Sequence, residues 1–356
     1  MKLTNQMHGV ANNLYLSQSK HNPIYFLQIL MKKKLLLSIF CFLAIIEISF
    51  GQDSLLTATP KSAVKQVIKI EKSPGALGIS PSVLKNVAKM KNPPTNIALF
   101  AVDRRNDDQQ GNSDVIMIIS IDQQQRSIKM SSILRDTYVK IEGKGMDKIN
   151  AAYAFGGPQL AIKTLNQNFS LDIHDYINVD FVTAAKIVNA LGGIVINVKE
   201  EELPYLNNYL AELSNLNGAP YIPVKTAGPQ SLNGEQTVAY TRIRAVGHGD
   251  YERTERQRNV MIALFAKLQG AGTSVFPVFM SEILPYLETS MNNMSLFAIG
   301  SNILGSKSKA IDQARFPLDS QSKGERINNI WYLKTDLAKT TDSIHGFIYN
   351  GNKPGK

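Results

Sequence analysis

The sequence contains little cysteine, tryptophan and histidine. Of 356 residues, one is Cys, one is Trp and five are His. A single cysteine excludes a disulfide framework and a zinc cage built from cysteine. The histidines, at positions 8, 21, 174, 248 and 345, lack the spacing of metal ligands. The chemistry of this chain therefore depends on other side chains.

Several short motifs are also absent. The sequence has no G-x-x-x-x-G-K-S/T loop, so a nucleoside triphosphate is not indicated, and no G-x-S-x-G nucleophile elbow. It has no internal repeat of roughly 20–50 residues, which argues against a solenoid. It also has no helix-turn-helix or RNA-binding signature.

What is present is a moderate excess of basic residues. Lys and Arg number 39 against 29 Asp and Glu, a net charge of +10. Residues 1–51 hold five lysines against Glu47, which is +4, so the rest of the chain carries +6. This balance favours anionic partners only weakly. The apolar content of 44% is enough for a sizeable core.

The first 51 residues have the pattern of a targeting segment. Three lysines at 32–34 precede roughly 16 largely apolar residues at 35–50, and small residues surround the end of that run. The run is shorter than the ~20 residues of a spanning helix and contains Glu47. We expect an export signal cleaved near Gly51, with a retained membrane anchor as the alternative.

The remaining chain predicts one α/β domain. Residues 52–94, interrupted by five prolines, are expected to form a connector, followed by the domain at 95–348 and a tail at 349–356. Apolar runs such as Asn96–Val102 predict buried strands, and the spacing in Arg256–Leu268 predicts an amphipathic helix. Their alternation predicts a central mixed β-sheet with helices packed on both faces.

Two carboxylates lie at the ends of predicted strands. Asp103 follows one strand and Asp114 begins the next. Ligands of open α/β sheets bind beyond the strand ends. The pair would suit Mg²⁺, or Mn²⁺, because such a cation takes one or two carboxylates and leaves positions for water and phosphate. The alternative is a pair of solvated loop charges.

A second cluster follows another predicted strand. Burial of Ile133 and Leu134 would fix Arg135 firmly, and the alternative role for this arginine is a structural pair with Asp136. Downstream, small residues beside Lys148 would permit close approach of a ligand, unless this segment is simply the start of a helix.

The densest basic stretch contains Arg242 and Arg244. If residues 240–245 are extended, both side chains point the same way and repel unless an anion lies between them. Residues 234–241 could instead form a short helix, and the sequence does not decide between the two.

Three further polar residues, Arg253, Arg256 and Gln257, are spaced to share one face at the start of a helix. Arginine there is unfavourable for the helix dipole, and a bound anion would account for it. The alternative is a solvated arginine face balanced by Glu252 and Glu255. Arginine forks match phosphate oxygens, and arginines with Mg²⁺ stabilise a transferring phosphoryl group.

Five ordered segments resemble the LytR–CpsA–Psr family of cell-wall glycopolymer ligases, across roughly residues 96–348. The segments are Ala101–Arg105 with Ser113–Ile116, Ser131–Tyr138, Lys148–Gly157, Val188–Ile194, and Arg242–Arg244 with Gly249–Gln257.

The resemblance implies a Mg²⁺-dependent phosphotransferase. It would move a glycopolymer from undecaprenyl pyrophosphate to peptidoglycan or a related envelope acceptor, in the periplasm or at the outer face of the cytoplasmic membrane. Its partners would be the lipid-linked glycan, peptidoglycan and the membrane surface, and not a nucleic acid.

The family pattern also implies residue roles. Asp103 and Asp114 would bind the metal, and Asp103 would also act as general base. The substrate phosphates would be bound by Arg105, Arg135, Arg242, Arg244, Arg253, Arg256 and Gln257, and Asp250 would orient the arginines. Candidates for an apolar groove that binds the polyprenyl tail are Ile187, Leu191, Leu206, Leu210 and Leu264, which could equally be core.

Two positions depart from the family pattern. Leu134 stands where a proline is usual, and Asn189 stands where an acidic residue is usual. Three other functions remain open: a protein that binds polyprenyl pyrophosphate without turnover, a polyprenyl-pyrophosphate pyrophosphatase, and a nucleic-acid-binding regulator, against which the export signal argues.

Overall fold

The computed structural model describes residues 69–102, 111–125, 127–218, 220–247, 250–284, 287–305 and 311–353. All of them fall within one compact unit, Ala63–Lys356. The predicted targeting segment lies outside the described residues, as do Asp103 and Arg105. No helix in the described ranges combines the length and apolarity needed to cross a membrane.

The strands of the described residues are β1 (Thr95–Val102), β2 (Ser113–Asp122), β3 (Ser127–Ile133), β4 (Tyr138–Ile141), β5 (Gly145–Lys148), β6 (Asp175–Val179), β7 (Ile194–Val198), β8 (Gly228–Leu232), β9 (Glu288–Thr289), β10 (Asp312–Phe316), β11 (Ser322–Ile327) and β12 (Ile330–Thr335). The α-helices of more than two turns are α1 (Pro81–Lys89), α2 (Ala151–Phe169), α3 (Phe181–Ala190), α4 (Leu203–Asn217), α5 (Gly234–Arg242), α6 (Asp250–Ala271), α7 (Asn293–Gly305) and α8 (Leu337–Asn350).

A six-stranded mixed sheet forms the centre, in the order β10-β3-β2-β1-β6-β9. The pairs β1–β2 and β2–β3 are antiparallel, whereas β1–β6 and β3–β10 are parallel. The pairs β4–β5, β7–β8 and β11–β12 form separate two-stranded sheets. The predicted mixed sheet is therefore confirmed.

Helices cover both faces of this sheet. Alternate side chains of β1, such as Ala98 and Phe100, belong to one core cluster with residues of α2 and α8. Leu99, on the opposite face, belongs to a second cluster with Phe265 of α6. The predicted packing of helices on both faces is confirmed.

The segment that precedes the sheet is part of the domain. Leu77 and Ile79 are buried in the same core cluster as α2 and α8. Asn166 of α2 donates from Nδ2 to the carbonyl oxygen of Leu77 (2.8 Å), and Ser80 caps α1. The described part of the predicted connector therefore belongs to the domain, because Leu77, Ile79 and Val83 are buried in its core.

The carboxylate of Asp114, near the start of β2, lies at the end of the sheet where β1 ends. Val102, the last residue of β1, pairs with Ser113, and a register shift separates this pair from the Ala101–Val115 pair. Asp114 therefore lies beside the point where β1 ends, as the sequence predicted.

Residues 234–242 form α5 and not a strand. Asn233 caps this helix by accepting a hydrogen bond from the backbone N–H of Gln236, whose side chain binds the Asn233 N–H in return. Gly234 allows α5 to lie against α3, because a Cβ there would come within 2.1 Å of the Ala185 carbonyl oxygen. Of the two conformations that the sequence left open, the helix is the observed one.

Gly234→Ala tests this close packing. The methyl group collides with backbone, which cannot move aside as a side chain can, so we expect a loss of about 1–3 kcal/mol in the free energy of unfolding, measured by urea denaturation. Gly270→Ala in α6 is the matched control, because a Cβ there meets nothing within 4 Å. Equal stability of the two variants would contradict the packing argument.

Candidate active site

Five charged side chains form a ladder at the ends of β2 and β3. Arg253 of α6 donates from Nη2 to Oδ2 of Asp114 (2.8 Å), and Arg135 donates from Nη1 to Oδ1 of the same carboxylate (2.5 Å). Arg135 Nε also lies 3.6 Å from Oδ2 of Asp136, whose Oδ1 is 2.6 Å from Nζ of Lys148. Three cations thus alternate with two carboxylates, and the ladder carries one net positive charge.

Asp114 is held in its ionised form. Burial raises the pKa of its carboxyl group, but the charges of Arg253 and Arg135, with the hydrogen bonds that both donate, outweigh burial and lower that pKa below 3.8. The side chains of Asp114 and Arg135 are 14% and 18% exposed. They are therefore reachable from solvent, whereas Arg253 is nearly buried.

Burial and a backbone hydrogen bond fix the two residues that precede Arg135. Ile133 and Leu134 are buried, as predicted. The Leu134 N–H donates to the carbonyl oxygen of Phe316 (2.8 Å), which a proline at this position could not do. The departure from the family pattern therefore extends the β3–β10 pairing by one bond, directly before Arg135.

Asn150 joins the two strand ends through its backbone. Its N–H donates to the carbonyl oxygen of Arg135 (3.2 Å), and its own carbonyl accepts from the Ser113 N–H (3.3 Å). The backbones of Ser113 and Arg135 are therefore both hydrogen-bonded to Asn150, which is buried.

Arg256 has a structural role. Its side chain is buried, Nε donates to Oε1 of Glu202 (2.8 Å), and Nη1 and Nη2 donate to the carbonyl oxygens of Ile243 and Val246 (3.0 and 3.1 Å). These bonds hold the loop that carries Arg244. The prediction that Arg256 contacts substrate is corrected, because its buried guanidinium is bound to acceptors within the protein.

Glu202 is the residue that sequence reasoning missed. It lies in the run Glu200–Glu202, which is typical of a solvated surface, yet it is 2% exposed. Its Oε2 also accepts from the Lys199 N–H (2.9 Å). Burial and then the nearby Glu202 carboxylate raise the pKa of Tyr240 to about 12. No pattern in the sequence distinguishes Glu202 from its neighbours.

Not all of the predicted phosphate ligands lie close together in the structure. The structure brings together Asp114, Arg135 and Arg253. Arg242 instead ends α5 with Nη2 3.4 Å from Oε1 of Glu212 and its guanidinium 5.4 Å from the ring centroid of Tyr209. Arg244 is exposed on the following loop.

Two more of the predicted residues lie in α6. Gln257 is buried one turn after Arg253. Asp250 is the first residue of α6, and its side chain lies outside what the structure describes, as do all atoms of Asp103 and Arg105.

Asn189 links α3 to the start of α5. Its Oδ1 accepts from the Gly234 N–H (2.8 Å), and its Nδ2 lies 3.3 and 3.4 Å from the carboxylate oxygens of Glu235. An acidic residue at 189 could accept from Gly234 but would repel Glu235. The departure from the family pattern is thus matched by its neighbour.

Of the two carboxylates predicted to bind a metal, Asp114 is the one that the structure describes. Both oxygens of Asp114 accept an arginine N–H, but each carboxylate oxygen has more than one lone pair, so Asp114 can also reach a cation. Within the described ranges, no group of three or more His, Cys, Asp or Glu side chains could hold a metal. The donor set suits a cation that takes few protein ligands and binds mainly phosphate and water.

Comparison with known proteins identifies the relatives of this chain. Residues 57–345 match the model of the LytR_cpsA_psr family. The chain is 32% identical over 254 residues to the polyisoprenyl-teichoic acid–peptidoglycan teichoic acid transferase TagU of Oceanobacillus iheyensis, covering 67% of this chain and 70% of that protein. It is 30% identical over 263 residues to TagU of Bacillus subtilis, covering 72% and 78%.

Solved structures show the same fold. B. subtilis TagV superimposes with a TM-score of 0.58 at 26% identity, over 73% of this chain and 98% of that one. TagT (YwtF), a LytR-CPS2A-psr family protein solved with bound octaprenyl pyrophosphate, superimposes with a TM-score of 0.55 at 21% identity, over 72% and 90%.

Glu202→Gln tests the support beneath the Arg244 loop. The variant leaves a buried guanidinium without its carboxylate, and we expect a loss of about 3–5 kcal/mol in the free energy of unfolding. Glu212→Gln is the control, because Glu212 is half exposed and pairs with Arg242 at 3.4 Å. If urea denaturation shows both variants as stable as wild type, the structural role of the Glu202–Arg256 pair is wrong.

Asp114→Asn tests the charge that holds the two arginines. Because the folded-state pKa of Asp114 lies below 3.8, its ionised form stabilises the fold fully above that pH, and this contribution is lost as the pH falls through the folded-state pKa. We expect the variant to be less stable by about 1.5–3 kcal/mol at neutral pH. The difference should shrink below about pH 4 in denaturation curves measured across pH.

The exposed Asp342 provides the control for this experiment. Asp342→Asn should change stability by less than about 0.5 kcal/mol at any pH. A stability difference for Asp114→Asn that stays constant down to about pH 2 would contradict the assignment of the titration to Asp114.

Proposed function

The chain belongs to the LytR–CpsA–Psr family, and we propose that it is a transferase that moves a glycopolymer from a polyprenyl-pyrophosphate carrier to peptidoglycan or a related envelope acceptor. The observation that carries this proposal is the Asp114 carboxylate, which gathers Arg135 and Arg253 at the strand ends. The named activity of the TagU relatives supports it. Undecaprenyl is the carrier we propose, and the periplasm or outer membrane face is the proposed location.

The net charge of the ladder suits a pyrophosphate. Arg135 and Lys148 are the partly exposed cations, at 18% and 28% side-chain exposure. An arriving phosphate oxygen therefore meets donors already oriented by Asp114 and Asp136. Groups fixed before the reaction stabilise developing phosphoryl charge without reorganising.

The reaction breaks one bond and forms one. The acceptor hydroxyl oxygen attacks the phosphorus that bears the glycopolymer, and the bond from this phosphorus to the bridging oxygen breaks. Polyprenyl monophosphate leaves, and the glycopolymer becomes joined to the acceptor by a phosphodiester. The hydroxyl proton passes to a base, for which Asp103 remains our candidate.

Mg²⁺, or Mn²⁺, is part of the proposal. Asp114 and Asp103 would hold it, and when bound it would neutralise charge on the pyrophosphate. Arg244, on the loop held by Arg256, and Arg105 would complete the phosphate contacts, with Arg242, Gln257 and Asp250 as further contributors to the site.

A strip of apolar side chains offers a place for the polyprenyl tail. Partly buried residues of the sheet and of α6 lie between these two elements, and the first along the chain is Val115, which directly follows Asp114. They are Val115, Ile119, Ile177, Val179, Met261 and Ile262. Two of the groove residues predicted from sequence, Leu206 and Leu210, are fully buried and belong to the interior instead.

Arg135→Gln tests the transfer. Loss of one charge-assisted phosphate contact should lower kcat/KM by roughly 10- to 150-fold, the equivalent of about 1.5–3 kcal/mol. The assay uses the full chain, a polyprenyl-pyrophosphate-linked glycan, a peptidoglycan fragment and Mg²⁺, and measures glycan phosphate attached to the acceptor. The same assay in EDTA should lose activity, and added Mg²⁺ should restore it.

Arg326→Gln is the charge-matched control, because Arg326 is exposed in β11, with Nη1 3.3 Å from the Asn329 carbonyl oxygen. Glycan phosphate released into water would indicate a pyrophosphatase. Tight donor binding with no product would indicate a binding protein. Either result with wild-type chain would contradict the transferase proposal.

A further inference from the structure

A second pair of arginines lies between α6 and the edge strand β10. Arg258 of α6 donates from Nε to Oε1 of Gln313 (3.3 Å). Arg315 is two residues after Gln313 in β10, so the side chains of both residues lie on the same face of the sheet. The Cα atoms of Gln313 and Arg315 are about 6.6 Å apart. Two guanidinium groups therefore lie close together, and neither belongs to the Asp114 ladder.

Two polar atoms beside this pair have no hydrogen-bond partner. Ser132 of β3 is the register partner of Arg315, so it shares that face, and it is 1% exposed. Its Oγ is buried without a partner, as is Nη1 of Arg258, among the residues that the structure describes. Buried polar atoms are normally satisfied, so both atoms indicate a missing partner that accepts hydrogen bonds.

The electrostatics favour an anion as that partner. Burial lowers the pKa of Arg258, the Glu255 carboxylate raises it, and the positive charge of Arg315 lowers it. Arg315 pairs with Asp319 at 2.9 Å, and the side chain of Asp319 is 68% exposed. An oxyanion between the guanidinium groups would remove their repulsion and satisfy both buried donors.

We propose that Ser132, Arg258 and Arg315 form a second oxyanion subsite that binds a phosphate group. Ser132 precedes Arg135 by three residues, and Arg258 follows Arg253 by five residues, about 7.5 Å along the helix axis. The subsite therefore flanks the Asp114 ladder. Two sources share this chemistry: free phosphate, and a phosphodiester in the glycopolymer. Only the second source rests on the proposed function.

The test measures binding by calorimetry with the full chain in an Arg135→Gln background, which weakens the first site. Inorganic phosphate and poly(glycerol phosphate) are the two probes. We expect Arg258→Gln to weaken binding of the accepted probe by about tenfold, and Ser132→Ala to weaken it by a few-fold, with unchanged thermal unfolding. Arg326→Gln is the control and should leave binding unchanged.

The two probes separate the sources. Binding of inorganic phosphate that depends on Arg258 supports a subsite open to free phosphate, and Arg258-dependent binding of the polymer alone supports a polymer subsite. Affinities for both probes that are the same with and without Arg258→Gln and Ser132→Ala would overturn the proposal. Absence of glycan transfer by wild-type chain would contradict the proposed function but would leave this binding result intact.

Discussion

The candidate site depends on the carboxylate of Asp114. Arg135 and Arg253 are separated by more than a hundred residues in the chain, and their guanidinium groups meet only because each takes one oxygen of this carboxylate. Without it, two cations at the same strand end would repel each other. Its position follows from the β1–β2 register, since Val102 pairs with Ser113 and thereby places the next residue at the edge of the sheet.

A second carboxylate performs the corresponding task for the loop after α5. Glu202 neutralises Arg256 in the interior, and Arg256 in turn binds two loop carbonyl groups. A buried ion pair gains little net stability over apolar packing, but it imposes a direction on the groups that it binds. Here the hydrogen bonds from Arg256 hold the backbone on both sides of Arg244.

The sequence was sufficient for the sheet and its covering helices, because apolar periodicity carries that information locally. The roles assigned to Asp114, Arg135 and Arg253 came from the family resemblance. The sequence was insufficient where a contact between distant segments decides the outcome. Leu77 and Ile79 lie among prolines, which suggested a connector, yet their burial depends on α2. Glu202 is one of three consecutive glutamates, and only the tertiary contact with Arg256 distinguishes it.

The arginines of α6 show most clearly that spacing along the chain does not determine which distant residues a side chain contacts. A helix turns by about 100° per residue, so Arg253, Arg256 and Arg258 leave it in three directions. The first reaches Asp114, the second reaches Glu202, and the third reaches Gln313 of the edge strand β10. Spacing alone grouped Arg253 and Arg256 as one anion-binding face, because residues three apart are neighbours on a helix. The partners that other elements supply separate them into a residue that anchors the charged ladder, one that supports a loop, and one that flanks the ladder with a charge of its own.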